Sequence, residues 1–199
     1  AASKAIKFNS SNNGLETGDI GGSLVLISEQ TASSSSTIDF TSGIDSTYKE
    51  YIFKFIDIHP ATDNSFFNVN FRDGGSSFDA VKTTTFFRTN HSESGAGGVL
   101  GYRTSEDLAQ STSDQKLIVT GIGNDNDQSC SGTLQLFNPS STTFVKHFIA
   151  RTQCYTYNDY SMDNYVAGYC NTTSAIDGVR FQMSSGNIDA GTIKMYGVS

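Results

Sequence analysis

The stretch "YKEYIFKFIDIHP" (residues 48–60) decides how this chain is read. It is aromatic and β-branched along its whole length, the composition of a strand rather than a helix. One parity carries Tyr51, Phe53 and Phe55; the other carries Ile52, Ile56 and Ile58. With both parities apolar, the pattern predicts a central strand covered on two sides, and Pro60 ends it.

Working outward, "FFNVNFR" (66–72) alternates cleanly, with Phe67, Val69 and Phe71 against Phe66, Asn68, Asn70 and Arg72, which predicts a half-buried strand. Further strands are predicted over 23–28, 37–40, 82–88, 115–123, 132–138, 142–152, 164–171, 178–184 and 191–197. In the last two, Val179, Phe181 and Met183 share one face, as do Ile193 and Met195. Residues 90–101 read as a glycine-rich loop. "SEDLAQS" (105–111) reads as one helical turn, with Ser105 as N-cap. About ten short strands with frequent turns, little helix and no crossover helices predict an antiparallel β-sandwich of jelly-roll type. No fixed-period repeat interrupts it.

The chain ends "SSGNIDAGTIKMYGVS" (184–199), a loop and then a strand. Gly186 and Gly191 supply permissive backbone angles, and Ile188 is placed to pin the loop. The last strand is expected to complete the sandwich. At the other end, residues 1–23 are rich in Ser, Asn and Gly, with Ile6, Phe8, Leu15 and Ile20 as the apolar anchors. They read as an N-terminal arm that attaches to another surface, next to a single sandwich domain over 24–199.

Composition narrows the function. Of 199 residues, 14 are Phe and 9 are Tyr, enough large rings to build a core although only 36% of residues are hydrophobic. The net charge of −7 with no basic cluster argues against a nucleic-acid binder. No apolar stretch reaches transmembrane length, so membrane insertion is not expected. The start "AASKAIKF" lacks the apolar run of a secretory leader. Cys130, Cys154 and Cys170 read as thiols in or near strands, with a single Cys154–Cys170 bridge as the sharper alternative.

No catalytic set emerges. His59, His91 and His147 are scattered, no GxSxG pattern occurs, and no two carboxylates stand out as a hydrolytic pair. Asp125 and Asp127 in "GNDNDQS" (123–129) are weak candidates for a hard cation. They lack the glycine and distant glutamate of an EF-hand, and they read as a solvated turn. No metal or cofactor is expected. The tyrosine-rich "CYTYNDYSMDNYVAGYC" (154–170) offers Tyr155, Tyr157, Tyr160, Tyr165 and Tyr169 in or beside a predicted loop. Such rings, set among Asn and Asp, suit stacking on a sugar or a protein surface. The alternative is packing at strand ends with wet hydroxyls.

Three long phrases carry a resemblance: "LISEQTASSSSTIDFTSGIDSTYKEYIFKFIDIHPATD" (26–63), "GIGNDNDQSCSGTLQLFNPSSTTFVKHFIA" (121–150) and "AIDGVRFQMSSGNIDAGTIKMYGV" (175–198). Over roughly 24–199 the chain resembles virion structural proteins of marine tailed phages, the cyanophage-like ones in particular. The resemblance implies a non-enzymatic particle component at the virion surface, assembled in the host cytoplasm. Its partners would be other virion proteins, either the major capsid protein or tail components. The leading expectation is a capsid decoration or cement protein. The alternative is the head domain of a tail fibre or spike that binds host glycan. A homo-oligomer suits both, with a trimer among the options.

Overall fold

The computed structural model describes residues 4–9, 11, 13–19 and 24–199. Ile20 of the predicted arm lies outside them. The strands are β1 (Lys4–Phe8), β2 (Leu15–Asp19), β3 (Leu24–Thr31), β4 (Ile38–Phe40), β5 (Glu50–Pro60), β6 (Phe67–Arg72) and β7 (Lys82–Ser92). They continue as β8 (Gly98–Tyr102), β9 (Gln115–Lys116), β10 (Cys130–Phe137), β11 (Lys146–Tyr155), β12 (Tyr160–Cys170), β13 (Gly178–Met183) and β14 (Ile188–Val198). Among the described residues there is no helix.

Twelve of these strands form two antiparallel sheets, a β-sandwich. The large sheet runs β3-β14-β5-β10-β11-β12-β7-β8, and the small one β4-β13-β6-β9. β1 and β2 pair only with each other, as a separate two-stranded ribbon. Between the sheets lies a layer of phenylalanines. Phe181 of β13 is in ring contact with Phe40, Phe53, Phe55 and Phe67, at centroid distances of 6.2, 5.5, 5.1 and 5.7 Å. All five rings are buried. Its contacts with Phe40 and Phe55 are edge-to-face, an arrangement ring quadrupoles favour, whereas Phe67 stacks nearly parallel to it and Phe53 is tilted.

The decisive strand is central, between β14 and β10, but it is covered on one side only. Tyr51, Phe53 and Phe55 are buried, whereas Ile56 on the other face is 41% exposed. Ile58 does not stay with Ile52 and Ile56. Asp57 takes a positive φ of 50°, and the register of β5 against both neighbours shifts nearby. This extra residue resets the alternation, so Ile58 turns into the core and is fully buried. Gly191 lies against the bulge at φ 114°, where a Cβ would come within 2.6 Å of the Asp57 carbonyl oxygen. Only glycine fits there.

Three other expectations change. The loop predicted over 90–101 is largely strand, as β7 runs on to Ser92 and β8 pairs back onto it. The helical turn predicted over 105–111 is not helical. Its backbone is taken by β7 instead: Thr84 N–H donates to Leu108 O (2.9 Å), and the Leu108 and Gln110 N–H groups donate to the Thr84 and Thr83 hydroxyls (2.8 and 3.2 Å). The strand predicted over 115–123 is strand only at Gln115–Lys116. Its apolar Leu117, Ile118, Val119 and Ile122 are buried as irregular backbone under β11 and β12. There Thr152 Oγ1 donates to Leu117 O (2.6 Å) and Val119 N–H donates to Asn164 Oδ1 (3.3 Å). This segment packs under β11 and β12 beside the small sheet, whose Phe71 reaches Phe148 of β11 at 4.9 Å.

Two substitutions test the account. Phe181→Ala removes the ring shared by both sheets and is expected to cost about 3–5 kcal/mol in chemical denaturation. Gly191→Ala forces a side chain into left-handed backbone against the β5 bulge and is expected to cost about 1–3 kcal/mol. A Gly191→Ala protein with an unchanged midpoint would refute the close approach.

Candidate binding surfaces

The two outer faces of the sandwich differ in chemistry. On the small sheet, charges are paired. Arg180 clasps Asp39 with two hydrogen bonds of 2.8 and 2.7 Å, and Arg72 Nε donates to Asp177 at 2.8 Å. The Arg180 guanidinium also lies 4.2 Å from the Phe78 ring centre. This face is polar and largely satisfied.

The outer face of the large sheet carries an aromatic and aliphatic strip. Register places Tyr102, Phe87, Tyr165 and Arg151 side by side on β8, β7, β12 and β11. Phe87 and Tyr165 stack in parallel, with centroids 4.6 Å apart and an interplanar angle of 4°. Arg151 lies 5.0 Å over the Tyr165 ring and forms a fork on Asp163, at 3.0 and 2.7 Å. Burial alone would raise the Asp163 pKa, but hydrogen bonds from Arg151 and Tyr165 outweigh it and hold the carboxyl below its usual value. One row along, Thr85, Ala167 and Ile149 are neighbours, with Ile149 half exposed. The next row sets Thr83, Tyr169 and His147 together around an open depression of about 450 Å³. The strip can stack a flat or apolar surface while its rim supplies hydroxyl, imidazole and charged groups.

The five tyrosines do not come together. The loop expected between the strands predicted over 142–152 and 164–171 shrinks to a tight turn at Thr156–Asp159, because β11 runs on to Tyr155 and β12 begins at Tyr160. Tyr165 and Tyr169 belong to the outer strip. Tyr155 sits at the end of β11, its hydroxyl 3.2 Å from both Glu93 and Asp159 carboxylates. Tyr157 is exposed on the turn. Tyr160 has the parity of the buried Met162 and Asn164 and leaves the strip. Phe87, Arg151, Asp163 and Ile149 were not singled out from sequence. Their signal was parity, because each alternates with buried residues along its strand.

Asp125 and Asp127 are exposed on their turn, where Gln128 N–H donates to Asp125 O at 2.9 Å. Among the described residues, no three His, Cys, Asp or Glu side chains gather as metal ligands. The cysteines are buried, free thiols. Cys154 faces Met162 and Cys170 faces Lys146, at opposite ends of the β11–β12 ladder, so the Cys154–Cys170 bridge does not form. Burial pushes Cys154 and Cys170 each up to about 12. Cys130 is raised as well, first by burial and then by Cys154, its register partner. Such thiols are poor nucleophiles.

A third surface is the ribbon. Ile6 and Phe8 lie two apart on β1, and Phe8 faces Leu15 on β2, so the three share one face. They are 72%, 69% and 67% exposed. No helix among the described residues is long and apolar enough to cross a membrane. Comparison with protein-family models and with curated proteins finds no match to this chain.

The Tyr155 hydroxyl offers a titration test. Partial burial, then the Asp159 and Glu93 charges, push its pKa up to about 12 from an ordinary value near 10. The folded state therefore holds this proton more tightly. The stability linked to it is complete below about pH 10 and is lost as pH rises through about 12. Tyrosinate absorbance is expected to show a late-ionising group that Tyr155→Phe removes.

Proposed function

We propose that this chain is a non-enzymatic structural protein of a phage particle, a decoration protein that docks onto the head lattice through its ribbon. The observation that carries this reading is the ribbon's apolar face of Ile6, Phe8 and Leu15. Three large side chains at such exposure on one face are a surface built to be covered. They are the residues expected from sequence to attach the arm. The sandwich edges point the same way. Edge strand β3 exposes Leu24, Val25 and Leu26, and edge strand β8 exposes Val99, Leu100 and Tyr102. Natural monomers guard such edges with charge or proline, whereas these invite strand-to-strand pairing with another subunit.

Strand order supports the class. Within the large sheet, β3-β14-β5-β10 faces β4-β13-β6-β9. Taken in chain order, these eight strands pass back and forth between the two sheets as expected of a jelly roll, an architecture shared by viral capsid and lectin domains, and this order supports the reading. On that reading β7–β8 and β11–β12 are two hairpins inserted into it, and together they widen one sheet and carry the aromatic strip.

The runner-up is a tail-fibre or spike head that binds host glycan. The observation favouring it is the stacked Phe87–Tyr165 platform with the Arg151–Asp163 pair beside it. Copy number per purified particle separates the two. Hundreds of copies are expected for decoration; a few to a few tens would favour the fibre head. For the ribbon itself, the Ile6→Asp, Phe8→Asp double variant is expected to lose binding to empty heads and to keep its unfolding midpoint. Undiminished binding would refute docking through this face.

A further inference from the structure

Lys82 opens β7 with its side chain turned inward, and it is fully buried. Among the described residues no carboxylate lies within ion-pair distance of it. Its ammonium position is instead held by two neutral oxygens, Asn70 Oδ1 at 2.6 Å and Ala80 O at 2.7 Å. A charged lysine has three protons to place, while a neutral amine has two. Two acceptors fit the neutral amine and leave its lone pair free. Burial lowers the Lys82 pKa to about 8, against the opposing pull of Cys170, Asp114, Asp79 and Asp73. A neutral population therefore exists under mild conditions.

The Asn70 side chain is itself buried and gripped on both ends. Its Oδ1 accepts a second hydrogen bond from the Phe71 N–H at 2.9 Å. Its Nδ2 donates to Asp114 Oδ1 at 2.8 Å and to Thr112 O at 3.1 Å. Gln182 Nε2 fixes the other Asp114 oxygen at 2.5 Å. A buried amine, an amide with a polarised oxygen and a carboxylate on the amide nitrogen are the three parts of an acyl transfer.

We infer that Lys82 and Asn70 join through an intramolecular amide bond, formed by the folded protein itself with Asp114 as the proton-transfer group. The Lys82 amine attacks Asn70 Cγ, and the developing oxyanion on Oδ1 is held by the Phe71 N–H. In the tetrahedral adduct Nζ and Nδ2 share one carbon, which brings Nζ beside the nitrogen that Asp114 already holds; Asp114 then takes a proton from Nζ and returns one to Nδ2. The Cγ–Nδ2 bond breaks as the Nζ–Cγ bond is completed, and Nδ2 leaves as ammonia. No oxidant or reductant takes part. The carbonyl oxygen of exposed Thr112 lies 3.1 Å from the leaving nitrogen, and dilution of the ammonia drives the step forward. Because β6 and β7 belong to different sheets, the bond ties the small sheet covalently to the large one.

Mass spectrometry of the purified, denatured full chain tests this. The expected mass is below the sequence mass by one molecule of ammonia. Trypsin is expected to fail at Lys82 and to yield peptide 55–72 joined to peptide 73–88. Asn70→Ala and Lys82→Met should each restore the full residue sum. Asp114→Ala should give the uncrosslinked mass in a protein that remains folded by circular dichroism. Should these variants fail to fold, the wild-type peptide map still decides. Cleavage after Lys82 in the folded-then-digested wild type overturns the inference. So does an ammonia loss that maps elsewhere, such as to a succinimide at Asn13–Gly14.

Discussion

The fold depends on one ring. Phe181 projects from the middle of the small sheet into a nest of Phe40, Phe53, Phe55 and Phe67, two of which belong to the large sheet. A chain this poor in aliphatic residues cannot hold two sheets together with leucine and valine. It concentrates apolar area in a few large side chains, each burying far more surface than an aliphatic one. The polar, serine- and threonine-rich remainder is then free to make turns and outer faces. The threonines also serve structurally, since Thr83, Thr84 and Thr152 satisfy backbone groups of the irregular segments packed beside them.

The architecture was legible in the sequence because its signals were local. Period-two alternation in "FFNVNFR" and "GVRFQMS" marked core faces that are buried as read, although the first strand is not half-buried, since Asn68 and Asn70 on its other face are buried too. What escaped was set by neighbours distant in sequence. Nothing in "FKFIDIH" announces that Asp57 adopts positive φ; the reason is Gly191, far along the chain and packed against it. The apolar run 117–122 reads as a strand, yet it is buried backbone whose polar groups find side chains on β11 and β12. The acidic, N-capped "SEDLAQS" has helix chemistry, but its N–H groups are claimed by two threonine hydroxyls.

The surfaces were legible only in part. The apolar ribbon followed from Ile6, Phe8 and Leu15 standing in a polar segment. The tyrosine-rich stretch drew attention for its composition, but composition does not say which way a side chain points. Parity divides that stretch, sending Tyr165 and Tyr169 outward and Tyr160 inward. Phe87, from a strand whose threonines dominate the eye, becomes the partner that makes Tyr165 a platform. The buried Lys82 had no signature at all. A lysine at the start of a strand is ordinarily solvated, and only the fold shows it enclosed.

Both sheets are closed by partners far apart in the chain. Thr31 of β3 touches Thr192 of β14 across 161 residues, and Asp39 of β4 meets Arg180 of β13 across 141. Loop closure over such separations comes at an entropic cost before any ladder rewards it, so a topology like this folds slowly compared with a helical bundle of equal size. The local hairpins β7–β8 and β11–β12 need no such search and can form early. Until β14 slides between β3 and β5, those two strands have unpaired hydrogen-bonding rims, and the phenylalanine layer stands open to water. A chain whose β14 has not taken that place is therefore open to aggregation, and the crowding of newly made chains raises that risk.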